Sequence, residues 1–306
     1  MTRRPILLLI NPTAGGKPGA GPGLSDDPER LRPEALAAAL RLRRLAVEAR
    51  ELSEGDEAGV VARKAADDGF DVVVGGGDGT VSVVASALVG HPDATMGIVA
   101  LGSFNNIARG AGVPETLDGV LELIGDGRTG MIDCGWVARE DGSGTPFFEA
   151  AGVGLNAIGF LAINLADRRG LVPGIRALWR GLRHRRTPML LTIDGREYRI
   201  RSPAVTVSNG PYFGLGFAVS PEADPTDGLL DVAIFQRMSR WDVLRHFLAV
   251  ARRRKRRDPR VASYRARRVT IEGTRRALPA HADSVTIGTT PVTFEVRPRA
   301  LRLFRP

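Results

Sequence analysis

Phe70-Asp71-Val72-Val73-Val74-Gly75-Gly76-Gly77-Asp78-Gly79-Thr80 sets a short β-branched run directly against a cluster of glycines. Residues 70–74 read as a buried strand, the glycines as a tight turn, and residues 80–89 as a helix. A glycine turn that opens a helix brings backbone amides close to a ligand with no Cβ in the way, and the helix N-terminus favours an anion. The pattern repeats on either side. Downstream, residues 96–100 are an apolar run followed by Gly102 and a short helix near 105–110. Upstream, residues 5–10 form another run closed by Asn11-Pro12, and residues 15–28 are a Gly- and Pro-rich loop. Leu36, Leu40 and Leu45 predict a helix over 34–50, and residues 56–68 predict a second. Strands alternating with helices of this length indicate a parallel α/β sheet.

The rhythm changes after about residue 130. Residues 131–138, 147–153, 189–193, 197–201, 204–208 and 230–235 are strand-like, with helical stretches at about 175–185 and 240–254. Asp194-Gly195 marks a hairpin turn between two of these strands. The expected architecture is an α/β nucleotide-binding domain over 1–128 and a mainly antiparallel β domain over 129–290. Final strands at 292–296 and 300–304, within 291–306, would return to the first domain.

Three glycine-containing turns follow three expected strands: Asn11 to Gly16, Gly75 to Thr80, and Leu101 to Arg109. In a parallel sheet such turns emerge together at the carboxyl edge, where ligands bind. Thr80 and Ser103 add hydroxyl donors, and Asp78 suits either orienting a loop or a hydrated magnesium ion. No Gly-Lys-Ser/Thr follows, so this is not a Walker loop, and the spacing is not a dinucleotide fingerprint. The bland alternative for any one turn is a tight strand–helix connection in which Asp or Thr serves as a cap.

Composition narrows the partners. The 306 residues carry a formal net charge of +9, and 43% are hydrophobic, as in a globular chain that buries a core. The basic balance favours polyanions, although scattered arginine accounts for part of it. Cys134 stands alone, so neither an intramolecular disulfide nor a cysteine zinc site can form, and a reducing cytoplasmic setting is expected. No apolar run approaches the ~20 residues that span a bilayer, so membrane contact is expected to be peripheral. Arg180 to Arg186, and Arg252 to Arg257 beyond a helix bearing Trp241 and Phe247, suit anionic lipid headgroups. No stacking motif suggests nucleic acid. His91, His184, His246 and His281 are dispersed, without metal-ligand spacing. A homodimer stays open.

Taken together, Asn11-Pro12 with Gly15-Gly16, the Gly75–Thr80 turn, Gly102-Ser103-Phe104-Asn105-Asn106-Ile107-Ala108-Arg109 and Asp227-Gly228-Leu229-Leu230-Asp231 resemble the diacylglycerol kinase catalytic family. The likeness is strongest to the soluble bacterial lipid kinases of the YegS type and covers nearly the whole chain. The resemblance implies ATP at the carboxyl edge of the first domain and a lipid acceptor in a cleft between domains. Asn11, Gly15, Gly16, Gly76, Gly77, Asp78, Gly79, Thr80 and Ser103 would then serve the nucleotide, with Asn105 and Arg109 bracing the neighbouring loop. It further implies a structural Mg2+ in the second domain at Asp224, Asp227 and the carbonyl of Leu229. NAD kinases share the Gly-Gly-Asp-Gly-Thr turn, but the Asn105 to Arg109 stretch and the acidic 224–231 segment favour a lipid kinase.

One departure matters for turnover. The family carries a catalytic glutamate in an Asp-Gly-Glu triplet; this chain reads His281-Ala282-Asp283-Ser284-Val285, with Thr290-Pro291 in step. Valine cannot accept a proton, and a general base contributes typically ~10²–10⁴-fold. Asp283 is the remaining candidate base. Ser82-Val83, Asn156 and Glu51 also depart from the family pattern. These losses favour weakened or altered catalysis, and the alternative is a nucleotide- or lipid-binding member without turnover.

Overall fold

Residues Ile6–Ile10 form β1, an almost fully buried strand. In the computed structural model, the described residues are 3–14, 24–25, 27–53, 57–139, 141–155, 187–214, 216, 218–236, 238–239, 241–242, 245 and 258–306. After β1 come α1 (Pro33–Arg41), β2 (Val47–Glu51), α2 (Ala58–Asp67), β3 (Asp71–Gly76), α3 (Asp78–Leu88), β4 (Met96–Ala100), α4 (Asn106–Gly110) and α5 (Leu117–Asp126). The four strands lie in the order β2-β1-β3-β4, all parallel. Leu8, Leu9, Val72, Val73, Val74 and Met96 are wholly buried, as expected of a sheet covered on both faces. α1 packs with α5, and α2 packs with α3.

The helix expected over 34–50 stops at Arg41, because Arg44 takes a left-handed φ of 62° and reverses the chain. Residues beyond it pair as an edge strand, Ile6 opposite Val47, with Ile6 N–H donating to the Ala46 carbonyl at 2.8 Å. The backbone bonds gained along β1 outweigh the helical spacing of Leu36, Leu40 and Leu45. α5 was not anticipated, although Thr116 caps its start by accepting from Gly119 N–H and Gly127 ends it at φ 71°.

The second half adds β5 (Thr129–Ala138), β6 (Gly144–Phe147), β7 (Ala150–Gly154), β8 (Thr187–Ile193), β9 (Arg196–Ser202), β10 (Ala204–Ser208), β11 (Leu230–Phe235), β12 (Val261–Ala266), β13 (Arg268–Gly273), β14 (Pro279–Ala282), β15 (Val285–Thr289) and β16 (Val292–Phe304). One antiparallel sheet runs β12-β11-β10-β7-β14-β15. A second layer joins β9, β8, β13 and the first half of β16. Side chains from both fill one core, including Val153, Val205, Ile234, Leu191, Ile271 and Phe294. Phe147 meets Phe294 edge-on, with ring centroids 6.0 Å apart. The hairpin at Asp194-Gly195 has positive φ at both residues, 45° and 83°, as a two-residue turn between twisted strands requires. The strand expected over 147–153 is two strands, β6 and β7, interrupted at Phe148 and Glu149.

The expected class, a parallel α/β half followed by an antiparallel β half, is the observed one. Two compact units emerge, Met1–Asp133 with Arg299–Pro306, and Cys134–Pro298. β16 contributes to both: Arg268 to Ile271 pair with Glu295 to Val292, whereas Leu303 pairs in parallel with Met96. The helices expected near 175–185 and 240–254 fall almost wholly outside the described residues.

Candidate functional site

The register brings the carboxyl ends of β1, β3 and β4 level, with Ile10 opposite Gly75 and Gly76 opposite Ala100. Asn11 therefore leaves β1 beside the glycine turn. Its N–H donates to the Gly75 carbonyl at 2.8 Å, and its Nδ2 donates to the Thr80 hydroxyl at 2.8 Å. Asn11 Oδ1 accepts from Thr13 N–H and hydroxyl. A hydroxyl that accepts from Asn11 keeps its own proton for another partner. Thr80 is thus oriented as a donor within the first turn of α3.

The β3–α3 and β4–α4 turns touch backbone to backbone. A Cβ on Gly102 would lie 2.5 Å from the Gly77 Cα, and one on Gly77 would lie 3.2 Å from the Gly102 Cα. A Cβ on Gly76 would lie 2.8 Å from the Thr80 Cβ. Packing alone favours glycine at Gly102 and Gly76, and Gly77 is held in tight contact. Gly79 differs: a Cβ there meets nothing within 4 Å, and its φ is not positive. Neither packing nor backbone conformation accounts for a glycine at this helical position, where alanine would be the better helix former.

Asn105 closes the second turn on itself. Its Oδ1 accepts Gly102 N–H at 2.9 Å, its Nδ2 donates to the Gly102 carbonyl at 2.9 Å, and its backbone is left-handed at φ 51°. Asp78 joins the two turns, since its carboxylate accepts Ile107 N–H at 3.0 Å at the start of α4. Burial raises the pKa of Asp78, while backbone bonds from Ile107, Asn106 and Asn105, and the charge of Arg109, oppose that rise. Arg109 Nε lies 3.6 Å from Glu115. Ser103 is half-buried next to Gly102. The first-turn amides of α3 have no intrahelical acceptor, and the helix dipole adds positive potential there. Gly15 and Gly16 lie outside the described residues, as do Asn156 and both basic clusters.

In the second unit the ends of three neighbouring strands meet. Asp283 follows β14 and is only 5% exposed. Its two carboxylate oxygens accept Phe148 N–H and Glu149 N–H, each at 2.9 Å, and its own N–H donates to the Ala150 carbonyl at 2.8 Å. The carboxylate thus faces backbone amides. Glu149, which sequence reasoning overlooked, accepts Gly214 N–H at 3.1 Å through its carboxylate and Asn209 N–H at 3.0 Å through its carbonyl. A charged residue inside an apolar run was the available signal. His281 is buried against Phe213, with ring centroids 5.2 Å apart, and burial lowers its pKa to about 4 against a backbone bond at Asp283 that raises it. Val285 opens β15 opposite Ala282 and is 54% exposed.

The segment expected to hold Mg2+ precedes β11. Asp224 Oδ1 accepts Thr226 N–H at 3.0 Å and its hydroxyl at 2.6 Å. Asp227 Oδ1 accepts Leu229 N–H at 2.9 Å, and Asp227 Oδ2 is paired with Arg265. Magnesium demands near-octahedral oxygen coordination. As arranged, Asp224, Asp227 and the Leu229 carbonyl do not fit that demand, because the Arg265 guanidinium sits on one Asp227 oxygen and Asp224 is turned onto Thr226. Among the described residues no cluster of three or more His, Cys, Asp or Glu side chains suits a metal ion. No helix among them is long and apolar enough to cross a membrane.

Residues 5–137 match the diacylglycerol kinase catalytic domain, and residues 172–305 match the YegS C-terminal NAD kinase beta sandwich-like domain. A diacylglycerol kinase of Mycobacterium tuberculosis (strain ATCC 25618 / H37Rv) is 30% identical over 282 residues, 89% of each chain. A Xanthomonas campestris pv. campestris protein named "Probable lipid kinase YegS-like" is 34% identical over 224 residues, 69% of this chain and 71% of that one. A crystal structure of a diacylglycerol kinase from Bacillus anthracis str. Sterne superposes with a TM-score of 0.74 at 20% identity, covering 100% of this chain and 98% of that one. An NAD kinase from Archaeoglobus fulgidus in complex with ATP gives 0.51 at 13% identity, covering 98% and 93%. At these identities the two structures bear on the fold.

Proposed function

Because this chain belongs to the diacylglycerol kinase family, in its bacterial YegS-type branch, we propose that it binds ATP on the Gly75–Thr80 turn and transfers the γ-phosphoryl group to a lipid hydroxyl. Diacylglycerol or a related lipid is the acceptor. The observation that carries the reading is Gly79, a helical glycine with open space where a Cβ would stand. A phosphate oxygen needs that space, and a methyl group would fill it.

In this reading the amides of Gly77 to Thr80 bind phosphate oxygens, and the hydroxyls of Thr80 and Ser103 add donors. Asn11 aims the Thr80 hydroxyl, and Asp78 and Asn105 fix the two turns relative to each other. Arg109 contributes positive charge beside Asp78. Phosphoryl transfer depends mainly on such positioning and charge stabilisation. Magnesium accompanying the nucleotide would offset phosphate charge. Asp283 holds the Phe148–Glu149 backbone, and with Val285 at the head of β15 no carboxylate stands at that position to take the acceptor's proton. Turnover is accordingly slow, by up to ~10²–10⁴-fold relative to an enzyme with a base there. The basic stretches at 180–186 and 252–257 draw the protein to an anionic membrane surface, where the acceptor resides.

The exposed Val285 also favours a second reading, a member that holds nucleotide or lipid without transfer. One preparation separates the two. ATP affinity is measured alongside phosphorylation of a lipid panel with labelled ATP, for the native chain and for Ser284→Gly/Val285→Glu. Slow transfer that the double substitution raises supports the kinase. ATP binding with no transfer by the native protein supports the second reading, and failure to bind ATP overturns both.

A further inference from the structure

The turn before β11 joins to β12 through one side chain. β11 and β12 pair so that Asp231 stands opposite Arg265. Arg265 is nevertheless committed to Asp227, four residues earlier in the turn. Asp227 is thereby closed on both sides, by Leu229 N–H on one oxygen and by a guanidinium on the other. Asp224 is turned onto Thr226, which it binds through backbone and hydroxyl. Gly228 at φ 73° completes the tight reversal between them.

We propose that the Arg265 guanidinium occupies the place of a structural divalent cation in this chain, so that the 224–229 turn is clamped by an internal ion pair and the fold is independent of magnesium. Several physical points converge on this. A magnesium ion requires about six oxygen ligands and gives up water reluctantly. The turn offers one uncommitted carboxylate oxygen on Asp224, beside a fixed positive charge. That charge repels a dication, and neutralising Asp227 removes half of the carboxylate charge that would attract one. Arginine is weakly hydrated and directs its N–H groups in a rigid fork, which lets it hold a carboxylate where a metal would need its whole coordination shell rebuilt. The β11–β12 register supplies the rigid base from which it reaches.

The test uses the full chain without nucleotide, which keeps it separate from the kinase reading because no turnover is needed. Thermal midpoints are recorded in EDTA and in millimolar magnesium. For the native protein the two should agree within about 1 °C. Arg265→Gln should lower the midpoint in EDTA by ~1–3 °C, the scale of a half-exposed ion pair. Asp227→Asn should lower it equally, and the double variant no further, since both remove the same contact. A saturable rise of the native midpoint in magnesium that Asp227→Asn abolishes would overturn the proposal. So would an Arg265→Gln midpoint that stays level or climbs. Should the variants fail to fold, manganese binding by electron paramagnetic resonance on the native protein decides: no ion bound at this turn supports the clamp, and a bound ion lost in Asp224→Asn refutes it.

Discussion

Gly79→Ala separates the fold's requirements from the ligand's. Gly79 lies in the first turn of α3, its φ is unremarkable, and nothing stands within 4 Å of a Cβ built there. Alanine is favoured over glycine in a helix by ~1 kcal/mol, with about half of that in a first turn. The substitution should therefore stabilise the protein by ~0.5–1 kcal/mol and raise the thermal midpoint by ~1–4 °C. The same methyl group intrudes where phosphate would approach the α3 amides. Losing one charge-assisted hydrogen bond costs ~1.5–3 kcal/mol, which is ~10–100-fold in the ATP dissociation constant. Gly102→Ala is the contrast. Its Cβ would lie 2.5 Å from the Gly77 Cα, so backbone must move and the midpoint must fall. Calorimetric melting and ATP titration on all three proteins give the answer. A Gly79→Ala protein that is more stable and binds ATP within about twofold of the native chain would refute the phosphate reading of that glycine. One that melts earlier would refute the open space.

Asp283→Asn leaves a buried amide nitrogen facing one of two backbone N–H donors, and should cost ~2–4 kcal/mol in urea unfolding; unchanged stability would return Asp283 to the pool of free catalytic groups. His281 has a folded pKa of about 4 against an ordinary 6.5, so as pH falls through that window the unfolded chain binds the proton first and stability declines, by up to ~3 kcal/mol. Melting His281→Gln beside the native protein between those pH values should show the native slope flattened. Asp231 acts with opposite sign. Its pKa rises from 3.8 to about 6, so its carboxylate costs stability as pH climbs through that range, and Asp231→Asn should gain on the native chain at neutral pH while matching it near pH 4.

The glycine turn and its flanking elements were legible because their determinants are local. Val72 to Val74 must be buried on both faces, and the glycines leave few backbone choices. The hairpin at Asp194-Gly195 was legible for the same reason. Arg44 was not, because a left-handed arginine carries no sequence flag and the Leu36, Leu40, Leu45 spacing continues past it. α5 carries its signals locally too, in the Thr116 cap and the left-handed Gly127. The surroundings of Asp283 could not be read at all, since Phe148 and Glu149 reach it from more than a hundred positions away in sequence. The engagement of Asp227 by Arg265 is hidden in the same way. A motif names a side chain and leaves unstated whether its oxygens are already taken.

β16 has a consequence for the order in which the protein is made. Met96 waits for Leu303, a closure across about two hundred residues. During synthesis the parallel sheet of the first unit is translated first yet keeps an open edge at β4 until β16 leaves the ribosome. Bare strand edges are templates for aggregation. The α/β half is thus early in sequence and late to close, and a nascent chain stalled before residue 299 would present that edge to its neighbours.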